Sequence, residues 1–353
     1  MLSERTLAAE ISAVATLAAG PEERARALLE PVRRLMAFDA AAVTLFDPVG
    51  RRQVTLAREG YPEKMRQYMR GVEFAVDLET VGLRRNALPV RVEDVPVPPE
   101  TVPVWRDYLL PAGFGDGFGV GLFTSDGRFL GSLIANSESA PLSDENRMVL
   151  HRLVPLIAHA VDPLRTVSAL AEVVADAVAG RVLTRAGETL ELAGLPGHRL
   201  LTPDSPTTRA ALAVLAEGQV SGSFLCPDGD RVVRVTALAC PPQPPGHLRA
   251  VLLISPPPGT GLTRRELQVL GLLIEGYTNA GIAEALYVTV RTAVTHIEHV
   301  MAKLGVTSRT VAATRALRAG LYIPASVFLP IRKAGAVPQA GVHGNAGHER
   351  PQG

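Results

Sequence analysis

From Leu262 to Leu321 the apolar residues recur at helical spacing and divide into four short segments. In the first, Leu267, Leu270 and Ile274 stand at i, i+3 and i+7 behind Thr263 and Glu266, which have the spacing of a capping box, and Gly276 is a stop signal. A second segment opens at Thr278-Asn279 and puts Ile282, Ala283 and Leu286 on one side, after which Tyr287-Val288 turns the chain. Thr289 caps a third segment, whose Ala293, Ile297, Val300 and Leu304 form one stripe, roughly 60° wide at about 100° per residue. The opposite stripe holds Arg291, Thr295, Glu298, His299 and Ala302. Gly305 ends this helix, Ser308 starts a fourth, and Gly320 closes it.

Upstream the pattern alternates between helix and strand. A helical region covers Glu23 to Met36, and Ala42–Phe46 and Gln53–Arg58 form a hairpin about the turn Asp47-Pro48-Val49-Gly50. A second hairpin joins Gly117–Phe123 to Leu130–Asn136 through Ser125-Asp126-Gly127-Arg128. The glycines at 113, 115, 117, 119 and 121 alternate, which fits a close-packed strand rather than a dinucleotide loop. Ser143 caps a helix with Asp144 and Glu145 in its first turn and Val149, Leu153, Leu156 and Ala160 along its apolar side. An alanine-rich helix from Leu164 to Gly180 then leads to strands at Arg181–Thr184, Val220–Leu225, Arg231–Leu238 and Leu248–Ile254. Ser255-Pro256-Pro257-Pro258-Gly259 is a stiff linker.

The C-terminal segment resembles the LuxR-type helix-turn-helix domain. The resemblance is carried by Leu262, Thr263, Arg265, Glu266, Val269, Leu270, Gly276, Asn279, Ile282, Ala283, Leu286, Thr292, His296, Lys303, Leu304, Gly305, Val306, Ser308 and Arg309, all in register. It implies that the third helix enters the major groove and the fourth pairs two copies of the domain. Residues 1–163 resemble a GAF domain in element order, with Gly131-Ser132-Leu133-Ile134 and Leu142-Ser143-Asp144-Glu145 matching the closing strand and helix start. Residues 164–254 resemble a reduced PAS domain with little room for a ligand cavity. The expected fold class is therefore multidomain: an α/β GAF-like sensor over 1–163, a helix plus small PAS-like α/β unit over 164–254, and a Pro-rich linker over 255–259. An all-α, four-helix LuxR-type domain over 260–323 and a disordered Gly/Ala/Pro-rich tail over 324–353 complete it.

On this reading Arg291, Thr295, Glu298 and His299 face base edges, while Thr278, Asn279, Thr289, Thr292, Lys303 and Arg309 meet phosphate. Family members often carry basic residues where this chain has Ala280, Val294 and Glu298. The segment Gly259 to Ile323 holds seven Lys/Arg against four Glu. Affinity for DNA of any sequence comes mainly from phosphate neutralisation, so a shallow salt slope is expected, about 3–5 phosphates per monomer. Glu298 can still accept from the exocyclic amine of cytosine. The plainer alternative is a solvated helix face with no reading role. His296 borders the buried stripe and reads as structural: a zinc pair on one helix prefers i, i+4 histidines and a third ligand, so no metal is expected.

The aromatic cluster Trp105, Arg106, Asp107, Tyr108 and Phe114 lies in the middle of the first unit, 61–114. Two readings stand: Trp105, Arg106 and Tyr108 line a small-molecule pocket, or the rings fill the core beneath a loop. Attachment of a tetrapyrrole is unsupported, because no cysteine precedes Cys226, and no cofactor is expected. Gly271 to Thr278 imitates a phosphate-binding loop but has Tyr277 where the lysine belongs. No G-x-S-x-G elbow, H-E-x-x-H or Cys/His cluster is present, so an enzyme is not expected.

At 353 residues with 47% hydrophobic content and a net charge of +1, the chain can build several cores, and only local charge can draw it to DNA. Cys226 and Cys240 are offset about a hairpin turn and read as reduced thiols. The N-terminus lacks a basic region followed by an apolar run, and no apolar run approaches the ~18 residues of a membrane span. The expectation is a cytoplasmic transcriptional regulator that binds double-stranded DNA as a homodimer, answers to a small-molecule ligand of the GAF-like domain, and meets RNA polymerase. Ala312, Ala316 and Ala319 share a face that could admit a partner helix or pack within the domain. The alternative is a GAF/PAS signalling adaptor with weak or lost DNA binding.

Overall fold

The computed structural model describes residues 4–86, 88–138, 142–172, 174 and 176–329. The first unit begins with α1 (Glu4–Thr16) and α2 (Pro21–Arg33), then β1 (Ala40–Asp47), β2 (Arg52–Glu59), α3 (Glu63–Tyr68) and α4 (Val72–Thr80). It closes with β3 (Val90–Arg91), β4 (Asp116–Phe123), β5 (Phe129–Ser137) and α5 (Asp144–Val161). Its sheet runs β2-β1-β5-β4-β3, with antiparallel neighbours. β1 reads as an unbroken apolar run because both faces are covered. Ala41, Val43 and Leu45 join a core with α1, α2 and α5, while Ala40 and Ala42 face the segment 61–114.

The second unit comprises α6 (Pro163–Glu172), β6 (Ala179–Thr184), β7 (Thr189–Glu191), α7 (Pro206–Val214), β8 (Ser221–Asp228), β9 (Arg231–Ala239) and β10 (Leu248–Ser255). Its sheet order, β7-β6-β10-β9-β8, repeats that of the first unit when strands are counted from the start of each. The helix expected over 164–180 stops at Glu172, and the chain is already in β6 at Ala179. Strand β7 and helix α7 carry too few periodic apolar residues to be placed from pattern alone. Alternation divides β10 between two cores: Ala250, Leu252 and Ile254 to one side, Val251 and Leu253 to the other, where α6 lies. Cys226 and Cys240 are free and buried in these two different cores, facing opposite sides of the sheet.

The last helices are α8 (Arg264–Ile274), α9 (Asn279–Ala285), α10 (Val290–Leu304), α11 (Arg309–Ala319) and α12 (Ala325–Phe328). Two expectations need correction. The proline-rich stretch does not set the helices apart, because Ser255 is the buried end of β10 and the helices share apolar cores with the second unit. Beyond α11 the chain follows the outer edge of β8, where Leu225 N–H donates to Tyr322 O at 2.8 Å and Leu225, Leu267 and Ile323 pack together. The tail does not begin at 324: Ala325 is buried, and Val327 and Phe328 pack against these cores. Residues 330–353 of the expected tail lie outside the described residues. Among the described residues no helix is long and apolar enough to cross a membrane.

Candidate nucleic-acid interface

Helices α8–α11 each start on a side-chain cap. Thr263 and Glu266 close the capping box of α8, Thr278 Oγ1 accepts from Gly281 N–H at 3.1 Å, and Thr289 Oγ1 accepts from Thr292 N–H at 3.1 Å. The turn between α9 and α10 places Tyr287 in the left-handed region, φ 55°, with the residue 92% exposed. Ala293, Ile297 and Val300 then bury one side of α10. The other side presents Arg291, Thr295, Glu298 and His299, all exposed and all on one stripe. Thr295 Oγ1 donates to Arg291 O at 3.1 Å, which parks the hydroxyl along the helix until a better acceptor arrives. His296 is half-buried at the margin of the core.

The six residues expected at phosphate divide into different situations. Thr278, Thr289 and Thr292 belong to the capping arrangements, with the Thr289 and Thr292 hydroxyls 2.9 Å apart. Arg309 donates to Tyr277 O at 2.7 Å and to Asn279 Oδ1 at 3.4 Å, tying the start of α11 to the α8–α9 turn. A guanidinium bonded to neutral oxygens keeps its charge and its remaining donors. Lys303 differs: its Nζ donates to both Glu266 carboxylate oxygens, at 2.8 and 3.0 Å, and to Gly261 O at 3.0 Å. Its charge is therefore matched inside the domain, and the pairing joins α8 to α10 across 37 residues. Sequence spacing holds no signal for that contact. Arg265 and Arg315 likewise donate to carbonyl oxygens of their own domain, Leu286 O and Leu304 O.

Burial by itself would raise the Glu266 pKa, but the bonds from Lys303 and Thr263 outweigh it and hold the carboxyl below its usual range. A depressed folded-state pKa contributes stability that is complete above the unfolded carboxylate pKa, about 4.3, and is lost as pH falls through the folded value. Glu266→Gln is thus expected to cost about 1–2 kcal/mol at pH 7 and much less below pH ~4. Calorimetric unfolding of the full chain at both pH values checks this; an equal loss at each would remove the ion pair from the account.

In the first unit, the segment 61–114 covers the sheet face opposite α5 and encloses a cavity of about 50 Å³ lined by Met65, Phe74, Leu78, Leu83, Trp105 and Ile134. Of the three residues expected to line a pocket, Trp105 does so. Arg106 turns outward and pairs with Asp107 at 2.7 Å, and Tyr108 stacks on Tyr68 with ring centroids 4.0 Å apart. Sequence reasoning missed Asp77. It is 4% exposed and accepts from Tyr68 Oη–H at 2.7 Å and Val104 N–H at 2.8 Å. Burial pushes its pKa up against those two bonds. Asp77→Ala leaves the buried Val104 N–H without its acceptor, an expected loss of about 1–3 kcal/mol, readable as a lower midpoint in Trp105 fluorescence melts.

Comparison with known proteins agrees with both halves of this architecture. The family model for bacterial regulatory proteins of the luxR family (GerE) matches residues 260–316, and the GAF domain model matches residues 20–161. Transcriptional regulatory protein LiaR of Bacillus subtilis is 48% identical over 61 residues, 17% of this chain and 29% of LiaR. Transcriptional regulatory protein DegU of Brevibacillus brevis is 41% identical over 59 residues, 17% of this chain and 25% of DegU. The chain thus spans less than a third of the length of these relatives. A GAF domain structure from a phosphoenolpyruvate-protein phosphotransferase of Coxiella burnetii aligns with 47% of this chain and 96% of its own, at 16% identity and TM-score 0.35. On the family models, the chain carries a GAF domain in its N-terminal half and a luxR-family helix-turn-helix domain near its C-terminus.

Proposed function

We propose that this protein is a DNA-binding transcriptional regulator whose C-terminal helices read the major groove under control of the GAF domain, and that it is not an enzyme. The single observation that carries this reading is α10, which buries Ala293, Ile297 and Val300 and leaves Arg291, Thr295, Glu298 and His299 exposed on one stripe. That is the presentation a recognition helix requires. LiaR and DegU, similar in this segment, are named as transcriptional regulators. A cytoplasmic homodimer on a pseudo-palindromic site, with half-site centres about 10 bp apart, follows from the few base contacts one helix can make. A small molecule of the GAF domain and RNA polymerase are the further partners of this reading.

A second reading has a specific observation in its favour. With Lys303 neutralised by Glu266 and Glu298 on the outward stripe, electrostatic attraction to DNA is modest, as in a signalling adaptor whose helix-turn-helix no longer binds. Selection of bound fragments from genomic DNA with the full-length protein tests both. Enrichment of one motif supports the regulator, and no retention at low salt supports the adaptor. A fragment starting at Ser255 is unsuited to this, because it strips apolar partners from Leu267 and Ile323. On a selected motif, Thr295→Ala is expected to relax preference at one base position with about 1–2 kcal/mol less discrimination, measured by competition against single-base variants.

A further inference from the structure

The two α/β units meet along a second cavity, of about 290 Å³, distinct from both sites above. Phe46, Arg84 and Phe129 come to it from the first unit, and Leu190, Pro245 and His247 from the second. His247 is 8% exposed, and among the described residues its Nδ1 has no hydrogen-bond partner. A buried polar nitrogen left unpaired is costly, which makes it a natural anchor for a ligand's polar group.

The surrounding charges are already matched. Arg84 pairs with Glu79 at 3.3 Å, Arg128 with Asp162 at 2.8 Å and Arg52 with Asp47 at 3.8 Å, and Glu188 adds a fourth carboxylate to the lining, so an anion would meet four carboxylates for three guanidinium groups. Burial holds the His247 imidazole below its usual pKa, so it enters this balance uncharged at neutral pH. The apolar wall is aromatic. Phe46 and Phe129 lie tilted at 6.0 Å between centroids, and the Arg84 guanidinium sits 4.4 Å above Phe46. Such a wall offers a third ring both edge-to-face and stacked contacts.

We propose that this cavity binds a small uncharged aromatic molecule bearing one hydroxyl or ring N–H, which bonds to His247 Nδ1 while its ring packs on Phe46, Phe129 and Leu190. Because the walls come from both units, occupancy favours the mutual placement seen here over any other. The inference goes beyond the proposed function and does not require DNA binding.

Phenol is a suitable probe, since its hydroxyl serves either imidazole tautomer. Calorimetric titration into the full-length protein is expected to give a dissociation constant of about 1 mM or tighter. His247→Leu should weaken binding at least about 10-fold, and Leu190→Trp should abolish it by filling the cavity with every polar group intact. Leu190→Trp also covers the case in which His247→Leu fails to fold. Unchanged affinity in Leu190→Trp overturns the proposal by placing phenol elsewhere, such as beside Trp105. No binding to the wild type up to about 10 mM overturns it as well.

Discussion

Arg291→Glu is expected to lower the affinity of the full-length protein for its selected site by about 2–3 kcal/mol, on the order of 30- to 150-fold. Arg291 stands in the first turn of α10 on the exposed stripe, and no carboxylate among the described residues is paired with it. Among the other cations of the domain, Lys303 faces Glu266, and Arg265, Arg309 and Arg315 brace turns and helix ends. Reversing this charge on a stripe that already contains Glu298 puts two acids on the outward side of α10. The log–log salt slope should also flatten by about one. Fluorescence anisotropy across a salt series reads both quantities. Wild-type affinity and slope in the variant would mean that α10 does not face duplex.

Gly131→Val should be among the most damaging single changes in the GAF domain. Gly131 sits in β5 opposite Leu45 of β1, at the centre of the five-stranded sheet. The two backbones approach so closely that a Cβ would overlap the Thr44 carbonyl oxygen and come within 2.7 Å of the Leu45 Cα. Those atoms are backbone and cannot rotate away, so the strands must separate and their ladder bonds lengthen. The expected loss is about 3–5 kcal/mol, seen as early unfolding of this domain by Trp105 fluorescence in urea. Gly259 lies in the stretch before α8 with nothing near its Cβ position, and Gly259→Ala should stay within about 0.5 kcal/mol of wild type. Equal tolerance at both positions would show that the β1–β5 spacing is slack.

Much of this was legible in the chain because it rests on local rules. Capping residues at Thr263, Thr278, Thr289 and Ser308, with Gly305 and Gly320 as stops, mark the starts of α8–α11 and the ends of α10 and α11, and the period of α10 separates its buried side from its outward one. The two GAF hairpins announce themselves by turn residues between apolar runs. Gly131 was legible as part of a motif, although not as a steric requirement, since that depends on how near β1 passes.

Non-local contacts decided the rest. The pairing of Lys303 with Glu266 withdraws an expected phosphate contact, and it joins residues whose separation carries no periodic signal. Segment 61–114 is built on Asp77, Tyr68 and Val104, joined through bonds that only the folded loop creates. The proline-rich stretch is stiff, yet stiffness does not keep helices apart when Leu225, Leu267 and Ile323 can bury one another. Composition, periodicity and capping thus determined which elements form and which side of α10 stays polar, because each depends on neighbours within a few turns. The matching of charges, the size of the first cavity and the docking of the C-terminal helices on the second sheet were left to the tertiary structure, because burial and Coulomb energy depend on distance in space and not along the chain.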